Sequence, residues 1–194
     1  IAGYNKDIYI SWHGGEPLLQ KIDFYRKAQE YAALYGVSLQ QSLQTNGTLL
    51  TDDWAKFFAD HKFSIGLSID GDRAMNDRYR KTKSGGGSVY DSVLNAIELL
   101  DKHNAKFGAL TVINPEADGE KVFEHLLRIG IKSFDILLPK IQWNTNDKPD
   151  FEKISQYIIS MFDAWYSLDD PSVEIRWFEN ILAKLSGHFG NLCS

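Results

Sequence analysis

Residues 8–17 of the chain read Ile-Tyr-Ile-Ser-Trp-His-Gly-Gly-Glu-Pro. The apolar start of this stretch predicts a strand over residues 8–12, and the glycine pair predicts a turn that a ligand can approach closely. Glu16 adds a carboxylate that can accept hydrogen bonds from an ammonium group, and Pro17 suits the first turn of a helix. A plain strand-to-helix turn is the alternative interpretation of the same residues.

The composition is that of a folded domain with an acidic surface. The 194 residues are 43% hydrophobic and 13% aromatic, which suffices for one packed core. A formal net charge of -5 without a long basic run makes nucleic acid a poor candidate partner. No apolar run reaches the roughly 18 residues of a membrane span, and we expect a cytoplasmic protein. Cys193 is the single cysteine, which excludes a disulfide framework and a cysteine-rich metal cage.

Short runs of β-forming residues alternate with longer amphipathic segments along the chain. The pattern predicts strands over residues 8–12, 37–43, 63–69, 106–113 and 134–138, with a further extended stretch over 173–176. It predicts helices over residues 21–34, 51–60, 89–100, 121–129 and 151–165, and a last one that ends at Gly187. A long polar loop is expected between residues 71 and 87. Such alternation indicates parallel strands with right-handed crossovers, and hence the α/β class.

Polar residues fall at the carboxyl end of each predicted strand. Because ligands bind at that edge of parallel sheets and barrels, the pattern predicts a binding site there. The alternative is that these residue types simply favour turns. The residues concerned are Glu16, Gln44, Thr45, Asn46, Ser68, Asp70 and Asn114.

Five stretches in a fixed order resemble successive motifs of radical S-adenosylmethionine enzymes. They cover residues 12–19 (Trp-His-Gly-Gly-Glu-Pro-Leu-Leu), 44–47 (Gln-Thr-Asn-Gly), 67–71 (Leu-Ser-Ile-Asp-Gly), 76–80 (Asn-Asp-Arg-Tyr-Arg) and 87–88 (Gly-Ser). The resemblance runs from about Tyr9 to Pro139. It is closest to the peptide-modifying branch with anaerobic sulfatase-maturating enzymes and SPASM proteins. Residues 134–139 and 163–165 are similar to peptide-cyclophane maturases of the same superfamily.

The resemblance implies a partial (β/α)6 TIM-like barrel with parallel strands that lacks its first strand in this chain. Residues 1–140 would form the barrel core. Residues 141–194 would supply the final barrel helix and a bridge toward a C-terminal domain. Cys193 would be either a buried thiol, the preferred interpretation, or the beginning of an auxiliary-cluster region.

The same resemblance implies a role for each matching position. Gly14, Gly15 and Glu16 would hold the methionine ammonium of S-adenosylmethionine. Ser68 and Arg80 would bind its carboxylate, with Arg78 as a competing choice, since a guanidinium fork suits a carboxylate. Thr45 and Asn46 would lie near the ribose or the substrate. An apolar wall for the adenine would come from Val112 with Leu137 or Leu138.

Two further residues are assigned to the substrate side. Gln44 would face the peptide, and Asp70 would lie there too, although a turn acceptor is the preferred alternative for Asp70. The pattern identifies no catalytic residue and no metal ligand. The precursor peptide would be the substrate, and flavodoxin or ferredoxin the electron donor.

The family's cluster motif, Cys-x-x-x-Cys-x-x-Cys, is missing from this sequence. Since iron–sulfur clusters need several thiolates, Cys193 alone cannot hold one. Either the cluster segment is absent from this chain or the chain is a degenerate paralogue. In the intact oxidoreductase a [4Fe–4S] cluster would cleave S-adenosylmethionine reductively. The resulting 5′-deoxyadenosyl radical would take hydrogen from a peptide side chain. This chain alone is expected to be inactive. The alternative is a module that binds S-adenosylmethionine or peptide without redox chemistry.

Overall fold

The computed structural model describes residues 7–82, 86–140 and 150–188. Its strands are β1 (Asp7–Trp12), β2 (Ser38–Thr45), β3 (Ser64–Ser68), β4 (Lys106–Val112), β5 (Ser133–Leu137) and β6 (Glu174–Ile175). A 3-10 turn covers Pro17–Leu19. The helices are α1 (Ile22–Leu34), α2 (Asp52–Asp60), α3 (Arg73–Tyr79), α4 (Val89–Lys102), α5 (Gly119–Arg128), α6 (Phe151–Leu168) and α7 (Arg176–Leu185).

The six strands form one sheet in sequence order, β1-β2-β3-β4-β5-β6. Parallel pairing joins β1 to β2, β2 to β3, β4 to β5 and β5 to β6. Helices connect the parallel strands, as right-handed crossovers require. These findings confirm the predicted α/β class and the partial barrel with parallel strands. A strand preceding β1 stays a prediction.

The predicted loop after residue 71 was wrong in part, because α3 lies inside it. This helix has only seven residues, which is too short for helical periodicity to reveal it. Its amino end is held instead by Asp72, whose side chain accepts a hydrogen bond from the Met75 N–H. Several boundaries also differ by a few residues. Gln44 and Thr45 belong to β2 rather than to a turn, and α5 already begins at Gly119.

The chain divides into two compact units. The first consists of Ile1–Ser68 and Thr82–Gly108, and the second of Ile69–Lys81 and Ala109–Ser194. The predicted division near residue 140 falls inside the second unit and stays a prediction. In the described part of the chain, no helix combines the length and the apolarity of a membrane span.

The core of the first unit is aromatic. Tyr25, Phe58 and Phe63 are almost fully buried, and Trp54 stacks on Phe58 with ring centroids 5.3 Å apart. Tyr25 also donates a hydrogen bond to the carbonyl of Pro17 at 2.8 Å. This bond ties α1 to the turn that follows β1, so the aromatic core positions the Gly-Gly-Glu-Pro segment.

In the second unit, α5 and α6 approach each other at a glycine. A Cβ placed on Gly119 would lie 2.0 Å from the carbonyl oxygen of Tyr157. No residue with a side chain fits there, because Cβ atoms in proteins essentially never lie closer than 3.0 Å to such an atom. Gly119 therefore sets how closely these two helices pack.

Candidate functional site

The turn after β1 has the open backbone that the sequence predicted. Gly14 has φ 99° and Gly15 has φ 59°, both in the region that favours glycine. Both residues are exposed, and a Cβ on either would meet no atom within 4 Å. The glycines are required here by the backbone conformation. The surrounding space leaves the peptide groups of the turn accessible to a ligand.

Glu16 ties this turn to the end of β2. Its Oε1 accepts hydrogen bonds from the Leu18 N–H at 3.0 Å and from the Thr45 hydroxyl at 2.7 Å. Its Oε2 accepts one from the Asn46 N–H at 3.0 Å. All three donors are neutral, and within the described residues no Lys, Arg or His pairs with this half-buried carboxylate. Glu16 therefore keeps an uncompensated negative charge beside the open turn.

Gln44 and Ser68 meet where β2 and β3 end. The Gln44 amide Nε2 donates a hydrogen bond to the Ser68 hydroxyl at 3.0 Å, and both side chains are partly exposed. Gly66 makes the space for this contact, since a Cβ there would lie 2.0 Å from the Gln44 Oε1. Our sequence reasoning did not single out Gly66. The available signal was a glycine inside a strand, which marks a close approach.

In the second unit, Asp70 and Arg80 form a bidentate ion pair. The Arg80 Nε donates to Asp70 Oδ2 at 2.7 Å, and the Arg80 Nη2 donates to Oδ1 at 2.9 Å. Oδ1 also accepts the Val112 N–H at 2.9 Å. Asp70 is only 7% exposed, and both its oxygens are engaged by the chain itself. The geometry agrees with an acceptor at a turn, while a contact between Asp70 and substrate stays a prediction.

Hydrogen bonds to Asn76 hold both ends of the segment from Asp70 to Arg80. The side chain of Asn76, which is fully buried in α3, accepts the Asp70 N–H at 3.1 Å. The backbone carbonyl of Asn76 accepts the Arg80 N–H at 2.9 Å. Gly71 turns the chain with φ 88°. Asn76 lies in one of the five motifs, but its anchoring role could not be predicted, because it depends on α3.

A cavity of about 420 Å³ in the second unit adjoins this ion pair. Most of its walls are apolar, and Lys140 adds a second positive charge at its edge. Val112 lines it, and the predicted contact of Val112 with adenine stays a prediction. Leu137 and Leu138 are 43% and 59% exposed and are not among the lining residues, so their contact with adenine stays a prediction. The lining residues are Asp70, Met75, Tyr79, Arg80, Val112, Ile113, Asn114, Pro115, Pro139 and Lys140.

The structure separates the two candidate arginines. Arg80 is partly buried, with 24% of its side chain exposed, and lies in the cavity wall. Arg78 is exposed, and its Cζ lies 5.3 Å from the centroid of the Tyr79 ring. Only Arg80 of the two therefore presents its guanidinium to the cavity.

Tyr157 is a buried neighbour of Asp70. Burial raises the pKa of its hydroxyl, and the negative charge of Asp70 raises it further. The phenol therefore stays protonated at neutral pH and brings no second negative charge toward Asp70.

The described residues contain no group of three His, Cys, Asp or Glu side chains that could hold a metal ion. Cys193 lies outside the described residues. The side chains of the described residues therefore do not supply the several thiolate ligands that an iron–sulfur cluster needs.

A family comparison agrees with this geometry. Residues 2–129, about two thirds of the chain, match the model of the Radical SAM superfamily. The chain belongs to this superfamily. The match confirms the resemblance drawn from the five motifs, and it includes β1 to β4 with every polar strand end predicted from the sequence.

Relatives with named activities match over nearly the whole chain. A serine-type anaerobic sulfatase-maturating enzyme from Bacteroides thetaiotaomicron is 42% identical over 96% of this chain and 50% of its own length. A cysteine-type anaerobic sulfatase-maturating enzyme from Clostridium novyi is 30% identical over 95% of the chain and 52% of its own. The chain thus spans about half the length of these curated relatives. Both belong to the sulfatase-maturase branch, and the likeness to cyclophane maturases stays a prediction.

A solved structure agrees in fold. The structure described as native anSMEcpe with bound AdoMet and Kp18Cys peptide superimposes with a TM-score of 0.87 at 27% identity. The superposition covers 97% of this chain and 55% of that one. AdoMet is S-adenosylmethionine, so this neighbour holds both a cofactor and a peptide.

Proposed function

We propose that this chain is the S-adenosylmethionine-binding core of a radical enzyme that modifies peptides, of the sulfatase-maturase type. The observation that carries the proposal is the superposition on a structure that holds AdoMet and a peptide, over 97% of this chain. The 42% identity to a serine-type sulfatase-maturating enzyme supports the same assignment. The site residues agree in chemistry, because the Glu16 carboxylate has no cationic partner among the described residues and Arg80 lines a cavity.

The two charged ends of the ligand find separate partners. Glu16, with the peptide groups of Gly14 and Gly15, receives the methionine ammonium, since its carboxylate has neutral hydrogen-bond donors and no cation of its own. Arg80 receives the methionine carboxylate through the part of its guanidinium that Asp70 leaves open, and the Ser68 hydroxyl adds a donor.

The remaining S-adenosylmethionine contacts follow from the same strand ends. Val112 offers an apolar wall in the cavity, with Leu137 or Leu138 beyond it. Thr45 and Asn46 lie beside Glu16 and border the ribose or the substrate.

A [4Fe–4S] cluster bound elsewhere in the protein would supply the reductive chemistry. Its ligands are not among the residues described, so the cysteines of the family motif would have to come from elsewhere in the protein. Flavodoxin or ferredoxin would deliver the electron. We place the enzyme in the cytoplasm, where such carriers work.

The substrate would be a peptide with a serine or cysteine side chain. The relatives are named as serine-type and cysteine-type maturases, and the serine-type relative has the higher identity. Gln44 is the peptide contact, because its side-chain amide is partly exposed at the end of β2 and Ser68 engages its Nε2 and not its Oε1.

The test is an assay of 5′-deoxyadenosine formation by the protein translated from the complete reading frame. After anaerobic cluster reconstitution, dithionite and S-adenosylmethionine should yield product. Alanine variants of the cysteines in its Cys-x-x-x-Cys-x-x-Cys motif should abolish it. A protein that binds S-adenosylmethionine and yields no 5′-deoxyadenosine would favour the binding module. A protein that fails to bind it would overturn the proposal.

A further inference from the structure

Arg80 is held by its side rather than by its tip. Asp70 engages Nε and Nη2, which form one edge of the guanidinium plane. In the part of the chain that the structure describes, Nη1 makes no hydrogen bond. The edge between Nη1 and Nη2 therefore stays open, and it is an edge that can take a second carboxylate in bidentate fashion.

Asp70 is itself fixed on two sides. Its N–H is bound by the buried Asn76 side chain at 3.1 Å, and its Oδ1 accepts the Val112 N–H at 2.9 Å. Its side chain is 10% exposed, against 24% for Arg80. Asp70 thus has one orientation available, and the ion pair transmits that orientation to the longer and more flexible arginine side chain.

We propose that Asp70 is a positioning residue that orients the Arg80 guanidinium so that its open edge receives the carboxylate of S-adenosylmethionine. This proposal rests on the proposed function, because it requires S-adenosylmethionine as the ligand. Asp70 does not attract the ligand, since its charge opposes an anion and is offset by Arg80. Its contribution is to order, before binding, a side chain with large rotamer freedom.

The test compares two ligands that differ only in the carboxylate. S-adenosylmethionine carries it, whereas decarboxylated S-adenosylmethionine keeps the ammonium, ribose and adenine. Dissociation constants are measured for the complete protein and for its Asp70→Asn variant. Asp163→Asn is the matched control, because it makes the same change on the exposed surface of α6. We expect Asp70→Asn to weaken the binding of S-adenosylmethionine about tenfold, which corresponds to one charge-assisted hydrogen bond. The binding of decarboxylated S-adenosylmethionine should weaken less than about twofold.

Equal weakening for both ligands would make Asp70 a merely structural residue and overturn the inference, as would unchanged or tighter binding of S-adenosylmethionine. Failure of the unmutated protein to bind either ligand would instead overturn the proposed function. If Asp70→Asn does not fold, Asp70→Glu replaces it, because it keeps the charge and moves the carboxylate by one methylene. Selective weakening of S-adenosylmethionine is again expected, and equal weakening of both ligands again contradicts the inference.

Discussion

Glu16 follows β1 and Asp70 follows β3. Both are carboxylates, but their surroundings in the structure differ. Glu16 in the first unit is half-buried and accepts hydrogen bonds from three neutral donors. Asp70 in the second unit is almost fully buried and forms an ion pair with Arg80. The first keeps a net negative charge, and the second forms a neutral pair.

We propose that this difference distinguishes Glu16, which contacts the ligand, from Asp70, which orients another side chain. A buried carboxylate without a counter-ion is costly, so Asp70 needs Arg80 for its own stability. Glu16 needs no cation, because partial exposure and hydrogen bonds solvate its charge. This contrast is the basis of our proposal that Glu16 receives the cationic group of a ligand and Arg80 its anionic group.

Removal of Arg80 should have the largest effect on stability. Arg80→Leu leaves the Asp70 carboxylate buried and unpaired, and we expect a loss of about 3 kcal/mol in the free energy of unfolding. Arg78→Leu is the control and should cost less than about 0.5 kcal/mol, since Arg78 is exposed. Urea unfolding of both variants provides the measurement. Equal losses would mean that the ion pair does not stabilise the second unit.

The turn beside Asp70 should tolerate substitution of its glycine less well than the turn beside Glu16. Gly71→Ala places a Cβ 2.9 Å from the Met75 sulfur at φ 88°, whereas Gly15→Ala meets open space at φ 59°. We expect a loss of about 2 kcal/mol for Gly71→Ala and about 1 kcal/mol for Gly15→Ala. Unfolding curves would reveal the order, and a larger loss at Gly15 would contradict it.

Substitution of Glu16 should have a small effect on stability. In Glu16→Gln one oxygen becomes an amide that faces an N–H or O–H donor, so one hydrogen bond is lost. We expect a loss of about 1 kcal/mol, compared with a change near zero for Glu30→Gln on the exposed surface of α1. A loss as large as that of Arg80→Leu would show that both carboxylates are structural and would remove the distinction between them.

Much of the first unit's site could be predicted from the sequence, because its signals are local. The glycine pair, Glu16 and the residues at the end of β2 all follow short apolar runs directly. The strand period and the parallel pairing of β1 with β2 then bring Glu16 to Thr45 and Asn46. No long-range side-chain geometry was needed to place them.

The second unit's site was harder to predict for physical reasons. The pair of Asp70 with Arg80 spans ten positions and depends on α3, whose capping and burial leave no periodic trace in the sequence. Side-chain direction also decides more than sequence spacing. Leu137 and Leu138 follow the same strand-end rule as Val112, yet only Val112 lines the cavity.

The central proposal is that Glu16 binds the ammonium group of S-adenosylmethionine and Arg80 its carboxylate. The most direct test is the dissociation constants of Glu16→Gln and Arg80→Lys, in the complete protein, for S-adenosylmethionine, decarboxylated S-adenosylmethionine and methylthioadenosine. We predict that Glu16→Gln weakens binding of the first two ligands, that Arg80→Lys weakens binding of the first alone, and that binding of methylthioadenosine, which lacks the ammonium and the carboxylate, responds to neither. Equal weakening of all three ligands by both variants would contradict the account.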